Sequence, residues 1–75
     1  MTYSDKILTY LVKEELKSGK AVFNTKVAKK KFRSVPDIDG TVMRTARQLY
    51  SNKLLKRVSA GEYALTAKGR RVVTN

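Results

Sequence analysis

The 75-residue chain contains no cysteine and no histidine. Without cysteine it can form neither a disulfide nor a thiolate metal site, and an intracellular setting is expected over a secreted one. Without either residue, the commonest general bases, nucleophiles and zinc ligands are missing. Acid is scarce as well: six Asp and Glu stand against seventeen Lys and Arg, a net charge of +11. Those carboxylates offer no acid–base pair. Glu14 and Glu15 are adjacent, and adjacent helical residues diverge. Asp37 and Asp39 stand at a helix start, where capping accounts for them. The stretch "GTVMRTARQ" lacks the glycines and lysine of a phosphate-binding loop. No apolar run reaches transmembrane length. The first residues, "MTYSDKILTY", lack the basic region and apolar core of a signal peptide. Repeats, linkers and low-complexity segments are absent. The chain is therefore expected to be no enzyme, to need no cofactor or metal, and to have no membrane or small-molecule partner.

What is present is positive charge on a foldable chain. A domain this small buries only about 60% of the surface its unfolded chain exposes, so its core is thin. The charge is unevenly spread. Residues 1–19 balance Lys6, Lys13 and Lys17 against Asp5, Glu14 and Glu15. Residues 20–75 hold fourteen basic groups against Asp37, Asp39 and Glu62. Such a field favours a polyanion, although a charge kept for solubility would look the same in the totals.

Hydrophobic spacing predicts a first helix over residues 4–18. Thr2 and Asp5 have capping-box spacing, with Ser4 as the alternative cap. Ile7, Leu8, Leu11, Val12 and Leu16 form its apolar stripe, which Tyr3 and Tyr10 could extend, and Gly19 stops it. "KAVFN" reads as a short strand. Asn24 or Thr25 then caps "TKVAKKKF", with Val27, Ala28 and Phe32 inward and Lys26, Lys29, Lys30 and Lys31 outward. Pro36 ends that helix by Ser34. A third helix covers about residues 39–52, capped by Asp37 or Asp39. Ile38, Val42, Ala46 and Leu49 cluster on one side, with Tyr50 at the edge. Arg44 lies opposite, flanked by Gly40, Thr41, Arg47, Gln48 and Ser51. "LLKRV" and "EYALT" read as a hairpin turning at Gly61. Thr66 caps a last helix, "AKGRRVV", which Gly69 weakens. The fold class is mainly α with a small β-hairpin (α+β), one domain over residues 1–75, in the order α-β-α-α-β-β-α.

Two short helices joined by a turn and followed by a hairpin form the layout of a winged helix-turn-helix. The stretch "TVMRTARQLYSNKLLKRVSAGEYALTAKGR" resembles that family: a recognition helix, an "LL" strand entry, a wing over about residues 54–66, and a "Y-x-L-T-x-x-G" segment. The resemblance covers about residues 5–73 and is one of spacing rather than of an invariant motif. Very short, highly basic chains of this type resemble regulators carried by archaeal viruses and plasmids. Two departures stand out. Many members have glycine where Lys53 stands, which leaves the left-handed role to Asn52. The wing, "VSAGEY", is short, with little reach into a minor groove.

That resemblance implies residues 39–52 in the major groove of double-stranded DNA. Arginine suits guanine and glutamine suits adenine, so Thr41, Arg44 and Gln48 are the expected base contacts. Arg47 lies further round and is expected on phosphate, with Lys26, Lys29, Lys30, Lys56, Arg57 and Lys68. Gly40 could bring the backbone close to the DNA, or simply belong to a loose helix start. The leading expectation is a sequence-specific DNA-binding transcriptional regulator, cytoplasmic and associated with the nucleoid. An RNA-binding protein of ribosomal type and a protein-interaction module with a basic face are the alternatives. A homodimer is also expected, in which the electrically balanced first helix, with Val72 and Val73, faces the partner subunit.

Overall fold

In the computed structural model, which describes residues 2–74, the first helix grows from a capped turn. The Thr2 side chain accepts a hydrogen bond from the Asp5 N–H at 3.2 Å, and α1 spans Tyr3–Ser18. Thr2 is thus the cap, and Ser4 lies inside the helix. Gly19, at φ 81°, ends it in the left-handed conformation, its N–H donating to the Glu15 carbonyl. Ile7, Leu8 and Leu11 are buried, but Leu16, expected in the same stripe, is 84% exposed. At 100° per residue Leu16 lies about 130° round from the middle of that buried face.

The expected strand "KAVFN" shrinks to one residue. Phe23 makes a two-way antiparallel bridge with Tyr63, at 2.6 and 2.9 Å. The pairing stops there because Asn24 turns to cap the next helix, accepting from the Val27 N–H at 2.9 Å. Asn24, not Thr25, is therefore the cap, and α2 spans Thr25–Lys31.

The third helical segment departs from a regular helix. Asp37 accepts from the Gly40 N–H at 3.0 Å. A single π turn follows over Asp39–Met43, then α3 over Arg44–Ser51. The wider turn inserts a residue into the helical phase. Val42 and Met43 are both buried, beside Ala46 and Leu49. The end of α3 is a Schellman motif: Leu54 N–H donates to the Leu49 carbonyl and Lys53 N–H to that of Tyr50. Lys53 itself is left-handed, at φ 65°, while Asn52 stays at φ −87°. The expected exchange of roles does not occur, because the two hydrogen bonds fix which residue must turn.

The hairpin pairs β1, Leu55–Ser59, with β2, Glu62–Leu65, in antiparallel register. A bulge between Arg57 and Ser59 leaves Val58 half-exposed. β2 is covered on both edges, by β1 and by Phe23, and its Tyr63, Ala64 and Leu65 are buried. Last comes α4, Ala67–Thr74. Thr66 caps it through the Gly69 N–H at 3.0 Å. Arg70 ties α4 to α1 by a 2.8 Å salt bridge to Glu15.

The core is one cluster. Phe23 and Phe32 lie at its centre, with Tyr3 and Tyr10 packed edge-on against them at ring distances of 5.7 and 6.4 Å. Gly69 is part of this packing rather than a weakness: a Cβ there would fall on the Leu54 carbonyl group. Two substitutions of opposite sign follow. Gly69→Ala should destabilise by about 1–3 kcal/mol through overpacking, although alanine is the better helix former. Lys53→Gly should stabilise by about 0.5–1 kcal/mol, by relieving a left-handed side chain. Urea unfolding of both variants checks the pair, and a stabilised Gly69→Ala protein would contradict the close crossing of α4 over Leu54.

Candidate nucleic-acid interface

The outer face of α3 is set by its inner one. Val42, Met43, Ala46 and Leu49 are held in the core, so Arg44, Arg47, Gln48 and Ser51 project to solvent. Their spacing of i, i+3, i+4 and i+7 makes one continuous polar stripe. The stripe itself carries no carboxylate. Among the described residues, neither Arg44 nor Gln48 makes a side-chain hydrogen bond or ion pair. Arg47 instead reaches back to the Asp39 carbonyl, at 3.4 Å.

The start of the segment differs from the stripe. Thr41 lies inside the π turn and is half-buried, its carbonyl accepting from the Thr45 hydroxyl at 2.9 Å. It is not aligned with Arg44 and Gln48 as a regular helix would have it. Gly40 is exposed, but a Cβ there would strike the Asp37 carboxylate. Glycine thus has a local reason to be here: it makes room for the cap. The same carboxylate sets a negative charge where an approaching phosphate would have to come.

The other expected contacts divide between surfaces. Lys56 and Arg57 are exposed neighbours on β1, so they point to opposite faces of the hairpin. Arg57 pairs with Tyr63, whose ring lies 5.8 Å from that of Tyr50 on α3. Arg57 therefore shares a face with the end of α3, and Lys56, opposite Ala64, does not. Lys68 is exposed in the first turn of α4.

On α2 the lysines also separate. Lys26, Lys30 and Lys31 line a cavity of about 450 Å³ against Tyr10, Glu14 and Lys17 of α1. Lys29 does not line it and lies about 160° round α2 from Lys31. The Lys31 ammonium sits 5.1 Å from the Tyr10 ring centre. Burial, and secondarily the Glu14 carboxylate, push the Tyr10 phenol above its ordinary range, so it stays a neutral hydroxyl at neutral pH.

The balanced total of residues 1–19 conceals this grouping. Lys6, Lys13 and Lys17, spaced 7 and 4 residues apart, lie on one stripe of α1, and that spacing was the available signal.

In comparisons with known proteins, no family model, curated protein or solved structure matches the chain. Among the described residues no helix is long and apolar enough to cross a membrane, and no cluster of side chains could hold a metal ion.

Proposed function

We propose that the protein is a sequence-specific double-stranded DNA-binding protein of winged helix-turn-helix type, acting as a transcriptional regulator. The observation that carries this reading is the exposed, carboxylate-free stripe Arg44–Arg47–Gln48–Ser51 on a helix whose other face is locked in the core. A stripe of that kind offers arginine and glutamine, which can pair with guanine and adenine edges, with no acid to repel the backbone. Arg44 and Gln48, without partners among the described residues, read bases. Lys29, Arg47 and Arg57 grip phosphate, Arg57 from the hairpin face shared with α3. Thr41 contributes at the edge of the site, and Gly40 serves the Asp37 cap.

RNA remains the rival ligand, and the salt and sequence dependence of binding separates the two. Duplex DNA should be preferred over structured RNA, with affinity falling steeply as salt rises, because the counterions released from the phosphates then gain less entropy. Arg44→Ala should cost about 1–3 kcal/mol on the best site and relax the preference at one or two positions. Arg57→Ala should weaken all duplexes alike and lower the salt slope by about one. Binding of both variants to a selected and a scrambled duplex across a salt series checks this. Equal losses on both duplexes for Arg44→Ala would reduce it to a phosphate grip.

The regulator acts as a two-fold dimer. Leu16 on α1 and Val72 on α4, 84% and 53% exposed, are large apolar side chains left on two helices that pack together. Pairing doubles the DNA contacts and makes the operator a near-palindrome. Sedimentation should show a dimer on an operator with two half-sites, and Leu16→Lys should return it to the monomer. A monomer bound to one unrepeated site would refute the pairing.

A further inference from the structure

The α1–α2 face is a second basic surface that the α3 reading leaves unused. Six lysines converge on it: Lys6, Lys13 and Lys17 from α1, and Lys26, Lys30 and Lys31 from α2. They line two cavities of about 520 and 450 Å³ that share Tyr10 and Lys31, and so form one groove. Glu14 is the only carboxylate among the lining residues. No residue of α3 or of the hairpin lines either cavity.

The groove's chemistry narrows its ligand. Its charges are ammonium groups on flexible stems, which bind phosphate as point charges and not as shaped forks. Its two tyrosines already carry ammonium groups near their rings. The Lys6 and Lys31 ammonium groups lie 5.9 and 5.1 Å from the ring centres of Tyr3 and Tyr10. From Lys6 to Lys17 the α1 stripe spans about 16 Å. That matches roughly five base steps of one strand, at about 3.4 Å each.

We propose that this groove binds the phosphate backbone of a second DNA duplex, so that one molecule holds two duplexes at once. The proposal rests on the reading of α3 as a DNA-binding face. It goes further in moving Lys26 and Lys30 from the first duplex to another. Because ammonium groups on phosphate carry no sequence information, the second contact is indifferent to sequence. The regulator therefore brings any neighbouring DNA to its operator.

The test uses the full chain. A bead-bound duplex carrying the selected site is loaded with protein, and capture of a labelled duplex of unrelated sequence is measured. Affinity for a single short duplex is measured separately. Lys6→Gln, Lys13→Gln and Lys17→Gln together keep good helix formers on exposed positions of α1. This variant should hold single-duplex affinity within about twofold, since the sites are independent. Its capture of the second duplex should fall at least about tenfold, with a lower salt slope. The matching triple Arg variant should restore capture.

A parallel loss of single-duplex affinity would place the groove on the path of one duplex and overturn the proposal. Undiminished capture would do the same, because a dimer bridging through two α3 faces does not need the groove. Capture of polyglutamate without a second duplex would assign the groove to an acidic protein instead. Duplex binding without any bridging defeats this proposal alone, whereas absence of duplex binding defeats the α3 reading with it.

Discussion

The backbone of Leu54 is where this small fold is joined. Its N–H closes the end of α3 on the Leu49 carbonyl, at 2.9 Å. Its own carbonyl accepts from the Thr66 N–H at 3.2 Å and lies 3.0 Å from the Thr66 hydroxyl. Gly69 crosses directly over that carbonyl. The backbone of one residue therefore sets how α3 leaves the core, where the hairpin begins and where α4 begins. A helix that must present side chains in register cannot be placed by its apolar face alone. Burial of Val42, Met43, Ala46 and Leu49 fixes its rotation, whereas the Leu54 junction limits its slide and tilt.

Such a junction matters more here than in a larger protein. Among the described residues thirteen buried side chains make up the packed cluster, and the net charge of +11 works against compaction. Stability in this size range comes from small terms, so caps count. Thr2, Asn24, Asp37 and Thr66 each satisfy a helix-start N–H that would otherwise be unpaired. Lys53 runs the other way. It holds a left-handed conformation that glycine would adopt more easily, and it does so in a chain with little stability to spare. Its ammonium is the one feature glycine could not supply, next to the end of the α3 stripe.

Much of this was legible in the residues, because the rules involved are local. A threonine three residues before an acid, an asparagine before a short apolar period, and Gly19 after Ser18 gave α1 and α2 close to their observed bounds. The hairpin followed from Gly61 and its flanking β-formers. What was not legible depended on distant partners or on phase. The π turn has no composition signal, yet it stands immediately before the helix that carries Arg44 and Gln48. The segment at Phe23 has strand character, but only its meeting with Tyr63 and the Asn24 cap decide that one residue pairs. Gly69 looked like a helix defect because Leu54, fifteen positions earlier, does not show in a helical wheel.

The charge of residues 1–19 teaches the most about reading function. As a sum it is zero, which suggested a neutral surface for a partner subunit. Folded, the same residues separate. Glu15 is drawn toward α4 by Arg70, while Lys6, Lys13 and Lys17 share the opposite flank with the lysines of α2. Helical phase, not sequence neighbourhood, decides which charges add, because screening limits surface charges to about 10 Å of effective reach. The field of this protein is therefore not one basic side and one neutral side. It has a side built of arginine and glutamine, suited to shaped contacts, and a side built of lysine, suited to unshaped ones. That difference in residue type, rather than the total of +11, is the argument for two different tasks on two faces of one small domain.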